Sequence, residues 1–199
     1  MYSQNDEEAH ILAHLPPSGR LLDIGAYDGK IFSNSRALLE KGWLGVLVEP
    51  SPVTFVELMR NTEEFKENVT LINAAITAGP SSIIEFYDSM GDAISGYDPA
   101  HLTKWKGHLT WRPMKIQTMN LMAMLEVVGT DFDFVTIDTE GTNMEIMEAM
   151  PWQDMHEVRM ICVEYDGKHE QMKRHVEQFG FNLIHRNGEN LIFNRVVNG

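Results

Sequence analysis

Short runs that are almost wholly apolar alternate with stretches of helical periodicity along most of the chain, and this alternation limits the fold more than any other feature. RLLDIG (20–25), WLGVLVEP (43–50), VTLINAAI (69–76), DFDFVTID (131–138) and EVRMICVEYDG (157–167) read as strands. SNSRALLEKG (33–42), SPVTFVELMRN (51–61), TNMEIMEAMP (142–151) and KHEQMKRHVEQFG (168–180) read as helices between them. A strand that is apolar at successive positions must be covered on both faces, and a helix after each strand is the crossover that parallel pairing needs. FNLIHRNGENLIFNR (181–195) reads as a closing hairpin with Asn187-Gly188 at its turn, which reverses one strand. The expected fold is a doubly wound, mostly parallel α/β sheet with helices on both faces. The 199 residues, 43% of them hydrophobic, suit one domain spanning 1–199.

The rhythm breaks once, around 79–113. SSIIEFYDS reads as an extra strand, and the rest as an irregular, lid-like insertion carrying Tyr97, His101, Trp105, His108 and Trp111. KIQTMNLMAMLEVVG then reads as a strand turning into a helix. Ser51 is an expected N-cap with Pro52 at the first helical position, and Thr142 with Glu145 an expected capping box. The methionines between Met114 and Met160 read as flexible core filler.

Composition narrows the partners. Sixteen Lys and Arg against 29 Asp and Glu give a net charge of −13, which disfavours a phosphate backbone as partner. The eight histidines show no ligand spacing, and no metal site is expected. The single Cys162 cannot form an internal disulfide and reads as a buried strand thiol. MYSQNDEEAH lacks the basic start and apolar core of a secretion signal, and no apolar run reaches the roughly 20 residues of a membrane span. A cytoplasmic protein acting on a small molecule is expected.

LLDIGAYDGK (21–30) carries the chemistry. In sheets of this type, ligands bind beyond the C-terminal strand ends. Gly25 and Gly29 let the backbone approach a ligand, with Ala26 and Tyr27 in the same turn. Asp23 and Asp28 place negative charge there, which suits an ammonium or sulfonium better than a pyrophosphate. Glu49, followed by Pro50 and Ser51, ends the second strand, where a carboxylate accepts the two hydroxyls of an adenosine ribose. Asn73 offers an amide to an adenine edge and Ala74 leaves room for the ring, although asparagine is also an ordinary turn residue. Asp138 and Glu140 follow the fourth strand and Glu164 and Asp166 the fifth, all on one rim, with His169 nearby.

DIGAYDG, VEPSP, NAAI, IDTEG and CVEYDG occur in this order between about Arg20 and Arg195. In this they resemble the FkbM-type branch of class I S-adenosylmethionine-dependent methyltransferases. The resemblance implies a Rossmann-like seven-stranded sheet of order 3-2-1-4-5-7-6. It also implies S-adenosyl-L-methionine as cofactor, and transfer to an oxygen, less often nitrogen, acceptor such as a sugar or polyketide hydroxyl. Asp23, Gly25, Ala26, Tyr27, Gly29, Glu49, Pro50, Ser51, Asn73, Ala74 and Asp138 are then the expected cofactor residues. Asp138, Glu140, Glu164 and His169 are the expected catalytic group, one of them a base. A second version has Asp138 and Glu164 hold a divalent cation.

One position departs from the family pattern. Family members commonly place a second acid where this chain has Asn143, while Glu145 is kept. That departure keeps open a degenerate module that binds the cofactor without turnover. A nicotinamide-dependent oxidoreductase is the further alternative, but Gly25-Ala-Tyr-Asp-Gly29 does not fit its G-x-G-x-x-G.

Overall fold

In the computed structural model, which describes residues 1–90, 93, 95–104 and 111–195, α1 (Glu7–His14) opens the chain. β1 (Arg20–Ile24), α2 (Arg36–Leu39), β2 (Leu44–Val48), α3 (Pro52–Asn61) and β3 (Val69–Ile72) follow. The middle holds β4 (Ala75–Thr77), β5 (Ile83–Asp88), α4 (Pro99–Lys104) and β6 (Arg112–Asn120). Next come α5 (Leu121–Val128), β7 (Phe134–Ile137), α6 (Asn143–Ala149) and β8 (Met160–Glu164). The last elements are α7 (His169–Glu177), β9 (Phe181–Arg186) and β10 (Asn190–Arg195).

Seven strands pair in the order β3-β2-β1-β7-β8-β10-β9. Counted among themselves in chain order, these are 3-2-1-4-5-7-6, as the resemblance implies. Only β10 runs against its neighbours; the other ladders of this sheet are parallel. The cause is visible in side-chain alternation. Leu22, Ile24, Val46, Val48, Val135, Ile137, Ile161 and Val163 enter one buried cluster. Leu21, Leu47, Phe134, Met160 and Cys162, from the same strands, enter another on the opposite face. Each such aliphatic side chain contributes about 1.5–3 kcal/mol on burial, so the strands are apolar throughout because neither face meets water. Met124, Met144, Met147, Met150, Met155 and Met172 fill the first cluster as core residues, and Cys162 is a buried free thiol.

Three local expectations are corrected. VTLINAAI is not one strand: it divides into β3, which pairs with β2, and β4, which pairs with β6 in a separate three-stranded sheet. Asn73 makes the break by donating from Nδ2 to the carbonyls of Glu49 (2.8 Å) and Pro50 (3.2 Å). The helix expected over 33–42 shrinks to α2, because Ser33 Oγ accepts from the amides of Ser35 and Arg36 and holds the preceding turn apart. The capping box at α6 does not form; Thr142 makes no side-chain cap, and Glu145 instead accepts from the amide of Ala78 at 3.2 Å. Ser51 does cap α3 as expected, accepting from the Thr54 amide at 3.2 Å.

Within 79–113, the described residues carry regular elements beyond the one expected strand, among them α4. β5 lies antiparallel on β6, and Phe86, Ala75 and Ile116 make a small core of their own beneath Tyr97. Trp105 and His108 lie outside the described residues.

α1 has no counterpart in the sequence reading. It is fixed by Ile11 in the core and by the buried Glu7 carboxylate, which accepts from Asn5, Asn187 and Asn190. Beside it, Asp6, His10 and His185 bring their ligand-type atoms within 4.8 Å of one another at the surface, the fold adding His185 to the i,i+4 pair Asp6 and His10. Among the described residues, no helix is long and apolar enough to cross a membrane.

Candidate active site

A cavity of about 240 Å³ opens where β2, β1, β7 and β8 end and β10 begins. Its floor starts at Asp23, buried at the end of β1, whose Oδ2 accepts from Ser35 Oγ at 2.6 Å. Burial pushes this carboxyl up to about 6. Gly25 follows with φ 94°, and a Cβ there would stand 1.6 Å from the carbonyl oxygen of Asp138. That close crossing is what joins the ends of β1 and β7.

Tyr27, with φ 51°, aims its amide at Glu49, donating to Oε2 at 3.1 Å. The other oxygen, Oε1, accepts from the amide of Ser51 at 2.8 Å. Glu49 is thus held at two points on the cavity wall, and burial pushes it up to about 8, with the carboxylates of Asp88 and Asp23 adding to the effect. Ser51 stands behind it, donating from Oγ to Asp88 at the end of β5. This bond fastens the insertion to the loop that holds Glu49.

The opposite wall is a knot of acids. Burial and the neighbouring Glu140 raise Asp138 to about 8. Burial, then Asp138 and Asp166, raise Glu164 to about 9. The Asp138 and Glu164 carboxyls lie within hydrogen-bonding reach of each other, so the two titrate as a pair that holds a single shared proton between about pH 8 and 9. Asp138 Oδ1 is buried with no hydrogen-bond partner. Asn143 organises the knot. Its Nδ2 donates to Glu164 and Asp166, each at 2.9 Å, while its Oδ1 accepts from the amide and hydroxyl of Thr139. An acid at 143 would have no hydrogens to give these carboxylates. Glu140 and Asp166 flank it with φ of 54° and 46°, strained conformations typical of functional sites.

Of the residues singled out in the sequence, Asp23, Gly25, Ala26, Tyr27, Glu49, Pro50, Ala74, Asp138, Glu140 and Glu164 line this one cavity. Gly29, Ser51 and Asn73 stand behind its wall: Gly29 packs where a Cβ would meet Leu58 at 2.6 Å, and Asn73 spends its amide on the backbone. His169 is at the start of α7, 3.6 Å from Glu170 and edge-on to the Tyr165 ring, outside the cavity lining.

Sequence reasoning missed Gln4, Asn34, Phe86, Thr136, Glu189 and Asn190, which also line the cavity. Asn34 had a legible signal: a polar Ser-Asn-Ser opens the helix expected over 33–42. Its Oδ1 is a second buried acceptor without a partner, and its Nδ2 lies 3.5 Å from Thr136. Gln4 and Glu189 carry no local signal, since only the fold brings them here.

The raised acids set a pH dependence. Asp23, Glu49, Asp138 and Glu164 stay protonated to higher pH in the folded chain than in the unfolded one. Their stabilisation is fully present below the unfolded values near pH 4 and is lost as pH climbs through about 6, 8 and 9. The ligand-free protein is therefore expected to melt ~5 °C or more lower at pH 8.5 than at pH 5.5. A melting temperature that is flat or rises over that interval in scanning fluorimetry would contradict the burial of these groups.

A family model for the methyltransferase FkbM domain matches residues 23–186. Among solved structures, methyltransferase FkbM from Methylobacillus flagellatus KT superposes with a TM-score of 0.55 at 12% identity, over 89% of this chain and 44% of that one. The m1A22 tRNA methyltransferase TrmK of B. subtilis gives 0.52 at 12% identity, over 98% and 68%. TrmK of M. capricolum, solved with S-adenosyl-homocysteine, gives 0.51 at 10%, over 98% and 70%. At such identities the three solved structures share the fold with this chain. No curated protein matches its sequence. The family match runs from the β1 aspartate into the closing hairpin and takes in nearly every acid of the cavity, so the chain belongs to the FkbM methyltransferase family.

Proposed function

We propose that the chain transfers the methyl group of S-adenosyl-L-methionine to a hydroxyl of a small molecule, such as a sugar or secondary metabolite. One observation carries the reading: a carboxylate held at both oxygens on the β2 end shares one cavity with two carboxyls, on β7 and β8, that lie within hydrogen-bonding reach of each other. The cofactor fits the residues present. The cavity offers carboxylates and two unpartnered buried acceptors, Asp138 Oδ1 and Asn34 Oδ1, to a ligand rich in hydrogen-bond donors and positive charge.

When bound, S-adenosylmethionine supplies a methyl group activated by a sulfonium. Glu49 holds the ribose hydroxyls, each of its oxygens keeping a lone pair beyond the amide bond it already accepts. Ala74 and Phe86 give the apolar surface for the adenine. The Asp138–Glu164 pair accepts the proton that an attacking hydroxyl must lose, because an alcohol's pKa lies far above neutral. Positive charge in the cavity lowers the pair's affinity for its proton and prepares one carboxylate as base. Tyr97, which lines the cavity from the insertion and bonds Thr142, helps exclude water as part of a lid. The chain acts as one domain in this scheme.

Removal of the β2 carboxylate tests the reading. Above pH 8, where Glu49 is ionised, Glu49→Gln is expected to weaken S-adenosylhomocysteine about tenfold to a hundredfold, the worth of charged hydrogen bonds. Calorimetric titration checks it, and an unchanged affinity would remove the assigned role. Tight binding of NADH by the unaltered protein would favour the oxidoreductase instead.

A further inference from the structure

We infer that the methyl acceptor carries a protonated amine, which seats between Glu164 and Glu189 at the β8–β10 end of the cavity. The inference rests on the proposed transfer site and names the acceptor class for it.

Charge is the first ground. Among the described residues, the cavity is lined by six carboxyl side chains and by no lysine, arginine or histidine. Asp23, Glu49, Asp138 and Glu140 belong to the ends of β1, β2 and β7, where the cofactor is expected. Glu164 and Glu189 lie further along the sheet. The ladder sets Glu164 opposite Asn190, and the amide of Tyr165 donates to the carbonyl of Glu189 at 3.0 Å, so these two acids come from adjacent strand ends. A phosphate or carboxylate placed there would meet these acids, with no lysine, arginine or histidine among the described lining residues to offset them. A nucleic-acid backbone fails for the same reason.

The hydrogen-bond inventory is the second ground. Asn190 donates from Nδ2 to the buried Glu7 carboxylate at 2.8 Å, which fixes its amide and leaves its oxygen as the acceptor. Glu7 also takes hydrogen bonds from Asn5 and Asn187, and so holds the segment bearing Gln4 against the loop bearing Glu189. Glu164 takes one hydrogen, from Asn143 at 2.9 Å, and Glu189 one, from Asn5 at 3.4 Å, and each carboxylate has further lone pairs to offer a donor. An ammonium brings three hydrogens and a positive charge to them, and its charged hydrogen bonds are the strong kind.

The test titrates glucosamine, spermidine and tyramine, each beside its N-acetyl counterpart, and also glucose 6-phosphate, into protein saturated with S-adenosylhomocysteine. At least one amine is expected to bind ten times more tightly than its acetylated form, with no binding of the phosphate. Glu189→Gln should lower that preference about tenfold, and Gln4→Lys, which puts an ammonium in the same place, should abolish it. Both variants should keep their affinity for S-adenosylhomocysteine and their melting temperature. Equal or tighter binding of the acetylated or phosphorylated compounds, or no binding by any of the amines, overturns the inference. Failure of S-adenosylhomocysteine itself to bind would instead overturn the transfer site beneath it.

Discussion

Glu164→Gln is expected to lower the rate of methyl transfer by about 10²- to 10⁴-fold, the usual worth of a positioned base. S-adenosylhomocysteine affinity should stay within a few-fold. The amide keeps the shape of the side chain and its packing, but it cannot take up a proton. Asp138→Asn should cost a similar factor in rate, because the two carboxyls lie in hydrogen-bonding reach and share one proton. Their effects should not add: the double variant is expected to be no more than about tenfold slower than either single one, as for groups that act as a unit. In the unaltered protein, kcat/KM should rise with pH toward the range of about 8 to 9 set by the pair, and this rise should vanish in Glu164→Gln. Single-turnover transfer of a labelled methyl group measures all of this. A Glu164→Gln protein with more than a tenth of the normal rate would take the base assignment away from the pair.

Gly25→Ala should abolish cofactor binding and destabilise the fold, since the new methyl would stand 1.6 Å from the carbonyl oxygen of Asp138. Backbone, not a flexible side chain, occupies that space, so β1 and β7 must separate at the end where the cavity begins. The residue's φ of 94° adds strain for any side chain. Together these predict a loss of about 4 kcal/mol or more and a melting temperature lower by roughly 10 °C. Gly42→Ala is the matched control. Its φ is 85°, but nothing lies within 4 Å of the added methyl, so only the backbone strain of about 1–2 kcal/mol should appear. Fluorimetry with and without S-adenosylhomocysteine separates the two. Equal losses in both variants would mean that the crossing of β1 and β7 is unimportant.

The large sheet was legible because its cause is periodic. Strands covered on both faces, such as Leu44–Val48 and Met160–Glu164, repeat apolar residues without alternation, and the helices between them fix the crossovers. Where a single side chain decides the path, periodicity is silent. Asn73 redirects VTLINAAI into two sheets through two hydrogen bonds, and Ser33 cuts a helix to one turn. α1 escaped notice because Ile11 alone carries it into the core, while its other anchor is a buried acid, Glu7, whose partners lie about 180 residues away in sequence. The cavity was half legible for the same reason. Acids at strand ends, Asp23, Glu49, Asp138 and Glu164, follow from strand positions alone. Gln4 and Glu189 reach the wall only because the first segment folds across the last hairpin.

Asn143 has a wider consequence. Two hydrogens and two lone pairs on one planar group tie the loop after β7 to the end of β8 in four directions. An ionised acid at 143 would set a third carboxyl against Glu164 and Asp166 with no hydrogen of its own to offer them. The two bonds that fasten the loop after β7 to the segment after β8 would be lost, so this one amide sets how closely the two acid-bearing strand ends are held together.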